Sequence, residues 1–153
     1  MENAIKLSLG GRGSGLIKSF ETLRLKAYLP TPEDVLTIGW GHTRGVKLGE
    51  VCTIEQAEKW FVEDTASAIV AVRSLPCQLT QSMFDALCSL VYNAGPSTVA
   101  PGSTIGDALR KPVPDYYSAW AGFALWRKQK GKDLLGLARR RAEEMSLFLE
   151  DKW

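Results

Sequence analysis

Several things are scarce in this chain of 153 residues, and each scarcity removes a class of function. The longest unbroken non-polar stretch is the eight residues 119–126, far short of the ~20 that a bilayer-spanning helix needs. Residues 1–6 carry no basic segment leading into an apolar run, so no secretory signal is expected and the chain should begin its life in the cytoplasm. Charge of one sign is nearly absent in excess: nineteen basic against seventeen acidic residues leave +2, too little for an electrostatically dominated nucleic-acid binder. Histidine occurs once, at His42, and cysteine three times, at Cys52, Cys77 and Cys88. An odd cysteine count without C-x-x-C spacing points to free thiols in a reducing compartment, and the multi-His or His-plus-Cys sets of zinc sites and nucleophilic hydrolases are hard to assemble. No repeat occurs, and the only biased tract is 10–15, read as a flexible lead-in because no strand precedes it.

What is plentiful is core-forming material. Hydrophobic residues make up 45% and include five Trp, five Phe and four Tyr, which suits one folded domain over 1–153. Leu16, Ile17 and Phe20 predict a short helix over 15–22 whose last turn carries Glu21. Two β-compatible runs, 23–28 and 35–40, flank a Pro-rich turn and predict a hairpin. Beyond it the chain reads as helical. Thr53 caps a helix to residue 73 with Ile54, Ala57, Phe61, Ala68, Ile69 and Val72 inward; Thr80 caps a second that stops at Gly95-Pro96; Ser103 caps a short third; Asp115 opens an aromatic-rich fourth to 128; a last helix covers 134–150 with Leu137, Met145 and Phe148 inward. The predicted fold is α+β and predominantly helical: a hairpin region over 15–50 and a helical lobe over 53–150.

With metal and thiol chemistry disfavoured, carboxylates remain. Glycosidic cleavage needs a protonated carboxyl for the leaving oxygen and an ionised one to activate water or face the oxocarbenium charge, and a Glu at a helix end opposite an acidic turn is one way to supply both.

Four separated blocks sharpen this. The run 16–21 (Leu-Ile-Lys-Ser-Phe-Glu), the hairpin end 37–43 (Thr-Ile-Gly-Trp-Gly-His-Thr), the block 84–95 from Phe84 through Tyr92-Asn93 to Gly95, and the closing 136–149 with Arg139, Arg140 and Arg141 together resemble the T4-like and P22-like bacteriophage lysozymes, the endolysins of glycoside hydrolase family 24. The resemblance covers about 16–149 in the same order. It implies a lysozyme-like fold with a cleft between a small hairpin lobe and a larger helical lobe. It also implies a cofactor-free, monomeric muramidase that cuts between N-acetylmuramic acid and N-acetylglucosamine, held in the host cytoplasm until a holin releases it to the wall.

The family works with a Glu, an Asp and a Thr. Glu21 matches the general acid, for which partial burial should keep the proton near neutral pH. Thr37 matches the Thr that holds water on the far side of the sugar, implying inversion. The Asp departs: the usual positions are Pro30 and Thr31, so the candidates move to Asp34 and Glu33, with Asp34 preferred for its shorter reach beside Thr37. Thr22 stands where the family commonly has Gly. Tyr92 and Asn93 match the cleft-lining pair, with Asn93 suited to an acetamido group and core packing the competing role for Tyr92. A run such as Arg139 to Arg141 is commonly an exposed basic face. Alignment through Phe148 nonetheless puts Arg140 beside the catalytic Glu, where a cation favours carboxylate and so serves positioning. His42 is read as a structural partner of Asp64, and Trp120, Phe123 and Trp126 as core. Three competitors stay open: a lytic transglycosylase, which needs only one Glu; a wall-binding protein that lost its second carboxylate; and, on the arginine run alone, a helical DNA-binding module.

Overall fold

The computed structural model describes residues 1–152. The chain starts with the short strand β1 (Glu2–Asn3) and a 3-10 turn, then forms α1 (Gly11–Glu21). The hairpin follows as β2 (Arg24–Tyr28) and β3 (Thr37–Gly39), antiparallel, with Arg24 opposite Gly39 and Tyr28 opposite Thr37. The long α2 (Ile54–Arg73) leads to β4 (Gln78–Leu79), which pairs with β1, and to the central α3 (Gln81–Ala94). Next come α4 (Thr104–Leu109), α5 (Tyr116–Gly122), a second small hairpin of β5 (Lys128–Gln129) and β6 (Lys132–Asp133), and α6 (Leu135–Phe148). The fold is mainly helical with three small two-stranded pairings, and no described helix is long and apolar enough to cross a membrane.

α3 is the axle. Every residue from Ser82 to Val91 is buried, and α1, α2 and α6 all pack on it. A helix with apolar or small residues on all sides has to be surrounded, and Phe84, Leu87 and Leu90 join Phe123, Phe148, Ile105 and Leu109 in one core. The predicted caps are the caps seen: Thr53, Thr80, Ser103 and Asp115 each accept a hydrogen bond from a backbone N–H in the first turn of their helix. Such a bond satisfies one of the donors a helix start leaves over.

Four expectations are corrected. The Gly-rich tract is not a loose lead-in: α1 already begins at Gly11, because the buried Asp85 of α3 accepts from Gly10 N at 2.8 Å and Gly13 N at 3.0 Å. Gly13 is also a steric requirement, since a β-carbon there would lie 2.8 Å from Asp85 Cβ on the buried α3. The region after residue 50 is not wholly helical, because β4 pairs with β1 and the segment expected as helix to 128 ends at Gly122, passes through a 3-10 turn and becomes the β5–β6 hairpin. Ile54, expected inward, is 52% exposed, as the first residue of α2 lies beyond the body it packs on. Finally, Arg140 and Arg141 are buried and only Arg139 of the run is exposed, for reasons that belong to the site.

The hairpin lobe is tied down by backbone and side chain together. Ala27 N donates to Glu50 O and Cys52 N to Leu25 O, adding residues 50–52 alongside β2. His42 Nδ1 lies 2.8 Å from Asp64 Oδ2 on α2, and its ring stacks on Trp60 with centroids 4.6 Å apart. Lys18 on α1 reaches Glu58 on α2 at 2.7 Å while its ammonium sits 4.2 Å from the Trp40 ring.

Candidate active site

α1 ends where the chain must turn sharply into β2. Thr22 makes that turn at φ +53°, a conformation that costs a β-branched residue of order 1–3 kcal/mol. The preceding Glu21 is thereby left at the helix end with its side chain 22% exposed, between the hairpin lobe and the helical body. Gly41 passes directly over it at φ +88°, a conformation that suits Gly, and a β-carbon at 41 would fall 2.8 Å from Glu21 Oε2 and displace that carboxylate. Tyr92, at the last turn of α3, closes the other side and donates from its hydroxyl to Trp40 O at 2.7 Å. Burial pushes that phenol well above its usual range, with the Glu21 and Asp64 carboxylates adding to the effect, so it remains a neutral donor.

Arg140 comes to the same point from α6. Its Nη1 donates to Glu21 Oε1 at 2.6 Å, and its guanidinium lies 5.5 Å from the Phe20 ring centre. The arginine is buried because α6 supplies its counter-charge within one turn: Glu144 Oε1 accepts from Arg140 Nε at 3.2 Å, from Arg141 Nη2 at 2.9 Å and from Ser89 Oγ of α3 at 2.7 Å. Arg141 Nε lies 2.7 Å from Glu144 Oε2 but off the N–H axis, an ion pair without an aligned hydrogen bond. Desolvation pushes the Glu144 carboxyl up and the two guanidiniums pull it back. With hydroxyl and guanidinium donors converging on it, the ionised form is the one its surroundings satisfy. The sequence signal was present as Arg at i and Glu at i+3 or i+4 on one helix, but a charge run read by composition hides it.

The remaining predicted residues are spread along the hairpin lobe. Thr37 is buried on β3, its hydroxyl donating to Val35 O at 3.0 Å and leaving its lone pairs to accept. Asp34 is half-buried in the turn and its carboxylate has no partner among the described residues; Glu33 beside it is exposed and ion-paired with Lys130 at the tip of the β5–β6 hairpin. The two hairpins bound a groove of about 420 Å³ lined by Thr31 to Asp34 on one side and Gln129, Lys130, Lys132 and Leu134 on the other. Asn93 is exposed at the end of α3. Glu21, Tyr92 and Arg140 are therefore gathered at one point, Thr37 and Asp34 lie along the adjoining hairpin, and Gly41, Ser89, Arg141 and Glu144 join the site without having been foreseen.

A helical body with a small β-lobe and a carboxylate at the end of the first long helix is lysozyme-like architecture. The phage lysozyme family profile matches residues 18–144. The chain is 41% identical over 147 residues to an endolysin of Acyrthosiphon pisum secondary endosymbiont phage 1, covering 93% of this chain and 98% of that protein. It is 37% identical over 149 residues to the endolysin of Salmonella phage P22, covering 94% and 99%. Against the endolysin of Bacillus phage B103 it is 38% identical and spans 54% of that longer protein. Among solved structures, the muramidase domain of SpmX from Asticaccaulis excentricus superposes with a TM-score of 0.82 at 33% identity, covering 94% of this chain and 99% of that one. A P22 lysozyme variant superposes at 0.79 and 35% identity, with the same coverage. The chain belongs to the phage lysozyme family.

Proposed function

We propose that this protein is an endolysin that hydrolyses the β-1,4 bond between N-acetylmuramic acid and N-acetylglucosamine in bacterial peptidoglycan. The endolysin and muramidase names of its relatives support action on the cell wall. The observation that carries the chemistry is Glu21, largely buried at the end of α1, with Arg140 fixing one oxygen at 2.6 Å and Gly41 packed beside the other. A carboxyl positioned in this way can protonate the glycosidic oxygen as general acid. Asp34 and Thr37 handle the water: the turn carboxylate is unpaired and can accept its proton, and the Thr37 lone pairs can hold it opposite the leaving group. Attack from that side inverts the anomeric carbon. Tyr92 and Asn93 border the glycan, and no cofactor takes part. The enzyme acts as a monomer, waiting in the host cytoplasm until a holin lets it reach the wall.

Mass spectrometry of digested peptidoglycan tests the reading. Soluble muropeptides with reducing N-acetylmuramic ends are expected from the wild type. Anhydro ends would instead identify a transglycosylase, the alternative favoured by Pro30 and Thr31 at the usual Asp positions. Binding to chloroform-treated Gram-negative cells without loss of turbidity would mark a catalytically silent wall-binding protein.

A further inference from the structure

Glu144 is a buried carboxylate, with no solvent exposure, that touches neither the groove nor the hairpin lobe. It takes hydrogen bonds from Ser89, Arg140 and Arg141, and Arg141 continues through Nη1 to Trp126 O at 3.1 Å. The only member of this cluster that reaches Glu21 is Arg140. We propose that Glu144 is a positioning residue for the acid: by binding Arg140 at Nε it turns Nη1 toward Glu21, and its negative charge offsets that of Arg141 three residues before it. The inference rests on the muramidase reading and deepens it.

A free arginine side chain has many rotamers, and one that must meet a carboxylate at a single oxygen loses most of that freedom. Glu144 and Ser89 remove it in advance, since Nε is held at 3.2 Å and Nη2 faces Ser89 O and Oγ at 3.4 Å, leaving Nη1 as the outward donor. The charge balance follows from the same contacts. Around Glu21 stand Arg140, with Arg141 and Glu144 behind it, all from α6; Tyr92 from α3; and, beyond Tyr92, Asp64 from α2. Without Glu144 the charge of Arg141 is left without its counter-charge beside Arg140, the cation that contacts the group that must deliver a proton. A nearby cation stabilises carboxylate over carboxylic acid, so the acid would lose its proton at lower pH.

The test is steady-state kinetics on soluble peptidoglycan fragments for Glu144→Gln, Ser89→Ala, Arg140→Gln and the double variant Glu144→Gln/Arg140→Gln, each checked for folding by near-UV circular dichroism. Glu144→Gln should lower kcat about tenfold or more with KM within twofold, as loss of alignment does. It should also move the alkaline limb of the pH–activity profile to lower pH. In the Arg140→Gln background the same substitution should lower kcat less than about twofold further, because the arginine it aligns is gone. Ser89→Ala, a gentler change, should lose activity severalfold, and it decides the matter if Glu144→Gln does not fold. A folded Glu144→Gln with unchanged kcat and pH profile, additive losses in the double variant, or an unaffected Ser89→Ala would each overturn the proposal and leave Glu144 as a clamp between α3 and α6. A wild type that releases no fragments would sink the muramidase reading itself, a distinct result.

Discussion

Thr22 holds φ at +53° immediately after Glu21, in backbone territory that suits glycine. Relief of that strain exceeds the extra chain entropy a glycine brings to the unfolded state, so Thr22→Gly should stabilise the fold by about 1 kcal/mol, raising the thermal midpoint by roughly 2–4 °C. Scanning calorimetry of the two proteins checks this. Chemistry at single residues is separable too. Glu21→Gln should keep the fold and lose activity by at least about a hundredfold, the usual worth of a general acid. Asp34→Asn should also lose activity, whereas Glu33→Gln should not, because Glu33 is turned to Lys130 and solvent. Turbidity assays on the three variants side by side decide it, and full activity in Asp34→Asn would remove the turn acid from the mechanism.

At the scale of the element, helix starts divide into two kinds. Thr53, Thr80, Ser103 and Asp115 cap their own helices from the adjoining residue, which is why they can be read from the sequence. α1 is capped by Asp85, 72 and 75 residues away, and nothing local announces it. A glycine tract therefore looked flexible when it was a helix start built to let a buried carboxylate approach. The arginine run misled for the same reason: burial of Arg140 and Arg141 depends on Ser89 and Glu21 on other helices as well as on Glu144. Two-residue strands such as β4, β5 and β6 are too short to leave an alternating pattern. Two predictions belong here. Asp85→Ala strands two backbone donors in the interior and should cost about 3 kcal/mol in urea denaturation. Asp115, the cap of α5, has its carboxyl held down to about 2 by the Ser118 backbone N–H, the Lys111 ammonium and the Ser118 hydroxyl. A depressed carboxyl stabilises the fold above its unfolded pKa and loses that contribution as pH falls through the folded value. The stability gap between wild type and Asp115→Ala should thus be full above pH 5 and shrink between about pH 4 and 2.

For the whole molecule, the fold class, the hairpin and the helix order were legible from apolar periodicity, turn residues and local caps, and the meeting of Arg140 with Glu21 from the resemblance that four sequence blocks carried. The surroundings of that meeting were not, since they are assembled from α3 and α6 only after folding. Burial sorts the thiols at this scale as well. Burial pushes all three thiols up, but Cys77 and Cys88 are interior whereas Cys52 is half-covered beside β2 and open to solvent. An aromatic disulfide reagent should therefore titrate one thiol in the native protein and three in denaturant; three fast-reacting thiols under native conditions would contradict the packing described.

The ion pair at Glu21 spans 119 positions of chain, joining the end of the first long helix to the middle of the last. During synthesis the acid leaves the ribosome early and its partner very late. A half-made or prematurely terminated product would thus carry the proposed acid without the arginine that pairs with it. Under the proposed muramidase function, that delay would tie lytic competence to completion of the closing helix.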